Sequence, residues 1–386
     1  MIIKTYCGKL PIHVDHNPSA ATTCIALAFS LGEGELCINS RGLLHLKEHL
    51  VMRRYRQINS TSGYSNGYTS KDWVLFVIQV LKKDVCECFD DLLEAIVSCD
   101  TQGIDTEKQI ITSEIEQLHN NEDWLIGQQI EEGMWGKPYS IPCCGLIDNI
   151  SSFTEFDVLN VHFRRKKCAI AVSGYLNSEM LDYIQRAIVR SELDCSEDNN
   201  RDVEVIAKKR NRERNAPYDG YGALSYAFRV PGLRLLSDTT FACHNFVADF
   251  FSNRRNGLGS LLKTELGLAY YCESGFRPYR DSGVIYLTVK GNRKHFGVVE
   301  AVVKDFLAEP PRIAQRDIDS SLFYYCIESE KLLGKTTTSV LYALYGIDYD
   351  RSYSTLQVSY DTGELEDLMR TTLGTAEGVF IDHYYQ

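Results

Sequence analysis

Residues 42–50 read GLLHLKEHL. His45 and His49 stand four apart, and Glu48 directly precedes the second. On a helix that spacing stacks two imidazoles on one face, a turn apart, with a carboxylate beside them. Both nitrogens can then reach one divalent cation. Catalytic zinc takes three protein ligands and keeps a fourth position for water. Glu48 is poorly placed to ligate beside both histidines. It is well placed to sit over the water, take its proton and pass it to a leaving amine. The order H-x-x-E-H reverses the H-E-x-x-H zinc helix. The competing reading is an ordinary helix with two exposed histidines. With nine histidines in 386 residues, chance produces the five-residue pattern on the order of 1% of the time.

A third ligand has to come from elsewhere. The stretch DTEKQIITSEIEQL (105–118) carries Glu107 and Glu114, seven apart. Seven residues are almost two helical turns, so both carboxylates share a face. The chain between His49 and Glu114 is long enough to bring a second helix alongside the first. Glu114 is taken as the third ligand and Glu107 as the residue behind it that orients a ligand. Glu116 and Glu122 are expected to face solvent.

These stretches, with GYSNGYTSKDWVLFVIQVL (63–81) between them, resemble the pitrilysin/insulinase family of inverzincin metallopeptidases. That family shows a G-x-x-H-x-x-E-H helix, a turn and strand, then two glutamates seven apart, the second binding zinc. The resemblance implies one zinc per chain on His45, His49 and Glu114, with Glu48 as catalytic base. NGLGSLLKTELGLAYY (256–271) is similar to the family's later segment, whose arginine and tyrosine polarise the scissile carbonyl. The matching positions are Lys263 and Tyr270. Lysine for arginine is a departure, since it keeps the charge but loses the planar fork. Asn66 precedes the apolar strand and is implied in holding an extended peptide, which would add to that strand's edge. Its plainer reading is a turn residue.

Half-size members of the family pair up. The resemblance therefore implies a heterodimer with a subunit of homologous fold, a homodimer being the alternative. Within the family the chain is most similar to bacterial proteins of subtilosin-type bacteriocin maturation, which implies leader-peptide removal in a sactipeptide pathway. The rival function is a non-catalytic, peptide-binding subunit that completes a partner peptidase's site.

The elements that would carry these residues read as follows. Strands are predicted at 11–15 and 22–31, a helix at 39–56, an apolar strand after the Gly/Ser/Asn turn, a helix at 84–99 and a long amphipathic helix at 104–132. Thr154 is a candidate N-cap, before a strand at 168–174 and a helix at 177–191. The second part gives a strand at 223–230, a helix at 236–253, a short helix ending at Gly267, strands at 268–275 and 282–290, and helices at 294–307 and 314–334. Strands and helices mix without strict alternation, so the class is α+β. The expectation is two similar domains, each a mainly antiparallel sheet covered by helices on one face, half of a pitrilysin-type clam-shell. The divisions are a metal-binding domain at 1–190, a linker at 191–216 and a second domain of similar fold at 217–386.

Composition sets the outer bounds. Hydrophobic content of 44% and charged content of 24% are those of a globular protein. A net charge of −11 with one dense basic run, AKKRNRER (207–214), does not suit nucleic-acid binding. No apolar run reaches the roughly 18 residues of a membrane span, and no signal-peptide core opens the chain, so the cytoplasm is expected. Thirteen scattered cysteines with no C-x-x-C fit a reducing compartment.

Overall fold

The computed structural model describes residues 3–136, 139–163, 166–193, 220–252, 257–347, 362–374 and 378–383. In chain order the strands are β1 (Ile3–Cys7), β2 (Leu10–His16), β3 (Thr22–Phe29), β4 (Gly63–Thr69), β5 (Val74–Leu81), β6 (Cys168–Gly174), β7 (Tyr221–Pro231), β8 (Tyr271–Pro278), β9 (Ser282–Asn292) and β10 (Gly378–His383). The helices are α1 (Leu43–Ile58), α2 (Val85–Val97), α3 (Ile104–His119), α4 (Glu122–Met134), α5 (Ile147–Ser152), α6 (Glu155–Leu159), α7 (Ser178–Arg190), α8 (Asp238–Ser252), α9 (Leu258–Ser260), α10 (Phe296–Ala308), α11 (Gln315–Glu330), α12 (Leu332–Tyr345) and α13 (Thr362–Gly374). They fall into two units. Unit 1 is Met1–Leu118, Ile141–Val203 and Glu328–Asp348; unit 2 is His119–Ser140, Glu204–Ile327 and Tyr349–Gln386.

Unit 1 is built on the sheet β1-β2-β6-β3-β5-β4. Only β2 and β6 pair in parallel. The near-continuous apolar runs of β3 and β5 follow from helices on both faces of the sheet. α1 and α2 pack on the side of β4 and β5. On the other face Cys24, Ala26, Ala28, Ala169 and Ala171 make a floor of small side chains, and α12 lies on it through Val340, Ala343 and Leu344. Burial of a Val or Leu there contributes about 1.5–3 kcal/mol. The other edge of the sheet is β4, whose outer side is paired by no strand among the described residues.

Unit 2 is built on the antiparallel sheet β10-β7-β9-β8. Its core joins Phe246, Phe250 and Phe251 of α8 to Val299 and Val303 of α10. α4 packs on β7 and β10. The strand order β10-β7-β9-β8 repeats β6-β3-β5-β4 of unit 1. The register repeats as well: Asn66 pairs with Val77, and Gly275 with Tyr286. So do the loop bonds. Glu33 N donates to Ser70 O at 2.9 Å and Leu233 N to Tyr279 O at 2.9 Å, while Ser70 N and Tyr279 N donate to Trp73 O and Ser282 O, each at 2.8 Å. Gly32 and Gly232 press against the backbone of the 71–72 and 280–282 turns respectively, where neither has room for a Cβ. The two units are one bonding scheme built twice, a duplication too diverged to read from residue identity.

Two long predicted helices are each two. The segment 104–132 breaks between α3 and α4, where Asn121 Oδ1 accepts from Trp124 N at 3.0 Å and caps a new helix. The segment 314–334 breaks between α11 and α12 at Lys331. In each case the second helix packs on the other unit's sheet. The units are therefore not consecutive blocks of sequence. Of the predicted linker at 191–216, residues 194–216 lie outside the described residues.

Candidate metal centre

α1 starts in an unusual way. Its N-cap is Gly42, at φ +93°, which has no side chain to satisfy the first N–H groups. Glu33, ten residues before the helix and fully buried, reaches over instead. Its Oε2 accepts from Gly42 N at 2.9 Å, and its Oε1 accepts from Leu44 N at 2.9 Å and His45 N at 3.2 Å. The buried Arg41 fixes the same loop by donating to the carbonyls of Glu33 and Gly34. Burial pushes the Glu33 carboxyl up to about 7, against the pull of the three N–H groups and Arg41. A carboxylate there also meets the positive end of the helix dipole.

The two imidazoles have fixed orientations. His45 Nδ1 lies 3.2 Å from the carbonyl of Cys144, which can only accept, so Nδ1 carries the proton and Nε2 the lone pair. His49 Nδ1 lies 3.1 Å from Glu107 Oε2, and Glu107 is held in turn by Arg53 at 3.2 Å. Gly103, at φ +82°, leaves the space that the Arg53 guanidinium fills. The Nε2 atoms then face one carboxylate oxygen of Glu114 from α3, at 3.7 Å from His45 and 3.5 Å from His49. All three candidate ligand atoms lie within 4.8 Å of one another. Donor atoms about 2.0–2.1 Å from a tetrahedral zinc stand about 3.3 Å apart. Three lone pairs converging at this spacing suit a cation between them, and the N, N, O donor set suits zinc.

The charges around the three residues pull in different directions. Burial, then the neighbouring His49, holds His45 below the usual imidazole range. Burial would lower His49 too, but Glu114, Glu48 and Glu107 outweigh it and hold it above that range. The hydrogen bond to His49, opposed by burial and aided by His45, holds Glu114 below the usual carboxylate range.

Glu48 lies against the edge strand. A Cβ on Gly67 would fall on its carboxylate, so any larger residue there would have to displace the Glu48 side chain. Thr69 Oγ1 donates to Glu48 Oε2 at 3.4 Å. Burial pushes Glu48 up to about 7, with His49 pulling down and Glu114 pushing up. Beside Glu114 a shallow groove of about 400 Å³ runs along α3, walled by Thr106, Gln109, Ile110, Ser113 and Gln117. Its walls other than Glu114 are uncharged.

The structure thus gathers His45, Glu48, His49, Glu107 and Glu114 into one place. Contrary to the expectation, Asn66 lies not in a turn but on strand β4, paired with Val77, and the sheet's edge is β4, not the apolar β5 behind it. By strand alternation Asn66 shares a face with Tyr64 and Tyr68, opposite to Gly67. Lys263 and Tyr270 belong to unit 2; both are exposed, and Tyr270 meets Tyr221 edge-on at 6.0 Å. The eleven cysteines with described side chains are all free thiols. Sequence reasoning missed Glu33, Arg53, Gly67, Thr69 and the Cys144 carbonyl. Only Gly67 left a readable signal, a glycine inside a strand.

Unit 2 repeats the scaffold without the site. Register places Phe276 where unit 1 has Gly67, and its ring packs on Phe241 and His244 of α8 at 5.7 and 5.4 Å. Leu233 stands at the position of Glu33, and Ser237 Oγ caps α8 locally by accepting from Thr240 N at 3.1 Å. Among the described residues, the metal-binding geometry occurs at His45, His49 and Glu114 alone.

This fold is that of half-size M16-like peptidase chains. A protease from Helicobacter pylori is similar over 99% of both chains, with TM-score 0.80 and 14% identity. A chain of Complex III2 from Candida albicans has TM-score 0.77 and 13% identity, over 99% of this chain and 95% of its own. Residues 157–329 match the family model described as Peptidase M16 inactive domain. That range leaves out His45, His49 and Glu114. Among curated proteins, the beta subunit of the mitochondrial-processing peptidase of Saccharomyces cerevisiae is 21% identical over 202 residues, 47% of this chain and 44% of that protein. The matched stretch spans less than half the length of the curated relatives. Among the described residues no helix is long and apolar enough to cross a membrane.

Proposed function

We propose that this chain is a zinc-dependent endopeptidase acting on an unfolded peptide, with zinc held by His45, His49 and Glu114. The observation that carries the reading is the convergence of two oriented Nε2 lone pairs on the Glu114 carboxylate, with Glu48 directly beside them. Zinc supplies Lewis acidity to a water and to the scissile carbonyl. Glu48 takes the proton from the attacking water and returns it to the departing amine. Burial raises its proton affinity above that of an exposed carboxylate, which helps it hold the proton between the two transfers. Glu107 and the Cys144 carbonyl keep the imidazoles in the tautomer that binds metal. β4 offers an unpaired edge to which an extended peptide adds as a strand, with Asn66 in the middle of it. Lys263 and Tyr270 are proposed donors to the carbonyl oxygen, in this chain's own site or in a partner's.

The working form is proposed to be a heterodimer with a subunit of homologous fold. The beta subunit of a mitochondrial-processing peptidase among the relatives supports this. The peptide is proposed to be a bacteriocin precursor, and the reaction the removal of its leader in the cytoplasm. A second reading is a non-catalytic subunit that binds peptide and completes a partner's site. The match of residues 157–329 to a domain described as inactive favours it, as does lysine at position 263. Two measurements decide. The purified chain should hold one zinc by elemental analysis. Glu48→Gln should keep the zinc and lose cleavage by about 10²–10⁴-fold, in a mixture with candidate partner subunits. Undiminished cleavage by the variant, or by the chelated protein, removes the enzymatic reading.

A further inference from the structure

We infer that Glu33 is a positioning residue for the metal centre, the remote carboxylate that fixes the first turn of α1 and with it His45. The inference rests on the reading of His45, His49 and Glu114 as metal ligands. Three observations carry it. First, α1 begins at a glycine and has no local side-chain cap, so its leading N–H groups depend on Glu33. Second, one of the three N–H groups that Glu33 binds belongs to His45 itself. A ligand in the first turn is the one most exposed to fraying of that turn. Third, unit 2 repeats the backbone bond at the loop's start and the corresponding helix without an acid, over a shorter connection. Leu233 repeats the backbone bond of Glu33, and Ser237 caps α8 in the ordinary way. The scaffold therefore does not require a buried carboxylate at this place; the unit with the metal-binding geometry is the one that has it.

Burying an acid here is costly unless each of its oxygens is satisfied. Both are satisfied by the helix start, and the Arg41 clamp pins the carrying loop. The result is a rigid link from the end of β3 to the ligand's own peptide group. Through it His45 keeps its Nε2 aimed at the space beside Glu114 instead of sampling a frayed turn.

The test uses the full chain with Glu33→Gln, which keeps the shape but one acceptor oxygen, and Glu33→Leu, which copies unit 2. Zinc affinity is measured by chelator competition, the cobalt-substituted protein by its visible d–d spectrum, and the metal-free fold by circular dichroism and thermal unfolding. Expected are folded variants that bind zinc at least tenfold more weakly, in line with the about 10–100-fold cost of losing a residue that supports a ligand, with an altered cobalt spectrum at saturation. A residue that served the fold alone would leave that spectrum unchanged once the protein is folded and loaded. If Glu33→Leu fails to fold, Glu33→Gln decides. Wild-type affinity and spectrum in the folded variants overturn the inference. Loss of fold in both variants overturns it too, since Glu33 would then serve the scaffold. A wild-type chain that binds no zinc refutes the metal reading itself, which the same titration shows separately.

Discussion

A glycine decides how close the edge strand comes to Glu48, the proposed base. Gly67 sits where a side chain would overlap the Glu48 carboxylate, and Thr69 two residues on donates to the same group. β4 thereby walls Glu48 off from water, while its outer edge is the one proposed to take the peptide. The same position in unit 2 holds Phe276, whose ring fills the space with Phe241 and His244. Gly67→Ala should therefore act on the base and spare the ligands. Its Cβ displaces Glu48 by an ångström or so, and misplacement on that scale costs roughly 100-fold in rate. The expected outcome is cleavage reduced by about that factor, with zinc content and unfolding temperature close to wild type. Zinc lost along with activity would show that β4 supports the ligands instead.

Among the elements, the breaks matter more than the helices. Asn120–Asn121 ends α3 and starts α4, so the helix carrying Glu107 and Glu114 packs in unit 1 and its continuation in unit 2. Asn121→Ala removes the cap on Trp124 N and should lower stability by about 1 kcal/mol. The denaturant midpoint should shift accordingly while zinc affinity stays unchanged, because α3 is not capped by that residue. Much of this level was legible in the sequence. The i, i+4 histidines and the seven-residue spacing of Glu107 and Glu114 specify helix faces directly, and strands β3, β5 and β6 announce themselves as apolar runs, whereas the Gly/Ser/Asn stretch of β4 reads as a turn. The helix exchange was not legible, because the period of an amphipathic helix says which face is apolar and nothing about which sheet it covers. Nor was Glu33: a cap normally sits within a few residues of its helix, and this one arrives from the end of β3 across a loop.

At the scale of the whole molecule, the response of unit 2 to acid depends on buried histidines far from the candidate metal site, where Glu33 and Glu48, raised by burial, work in the opposite sense. His383 closes β10 with Nδ1 2.7 Å from Gln129 Oε1 of α4 and Nε2 2.7 Å from Ser225 Oγ of β7. It thus ties the exchanged helix α4 to the sheet of unit 2. Burial, with Arg293 and Lys290 nearby, pushes it down to about 3. Burial alone pushes His244, in the aromatic core of the same unit, down to about 4. In the unfolded chain each titrates near 6.5. Between 6.5 and the folded values the unfolded chain binds more protons. Their contribution is therefore complete above pH 6.5 and is lost as the pH falls towards 4 and then 3, by about 1.4 kcal/mol per pH unit for each proton. Hydrogen exchange on the metal-free protein should accordingly show β7, β10 and α4 losing protection between pH 7 and 5. His383→Gln keeps a neutral polar group between Gln129 and Ser225. It should reduce the pH slope of the unit 2 opening free energy by about one proton over that range, whatever its cost at pH 7. An unchanged slope in the variant would mean that His383 is not the group taking up the proton.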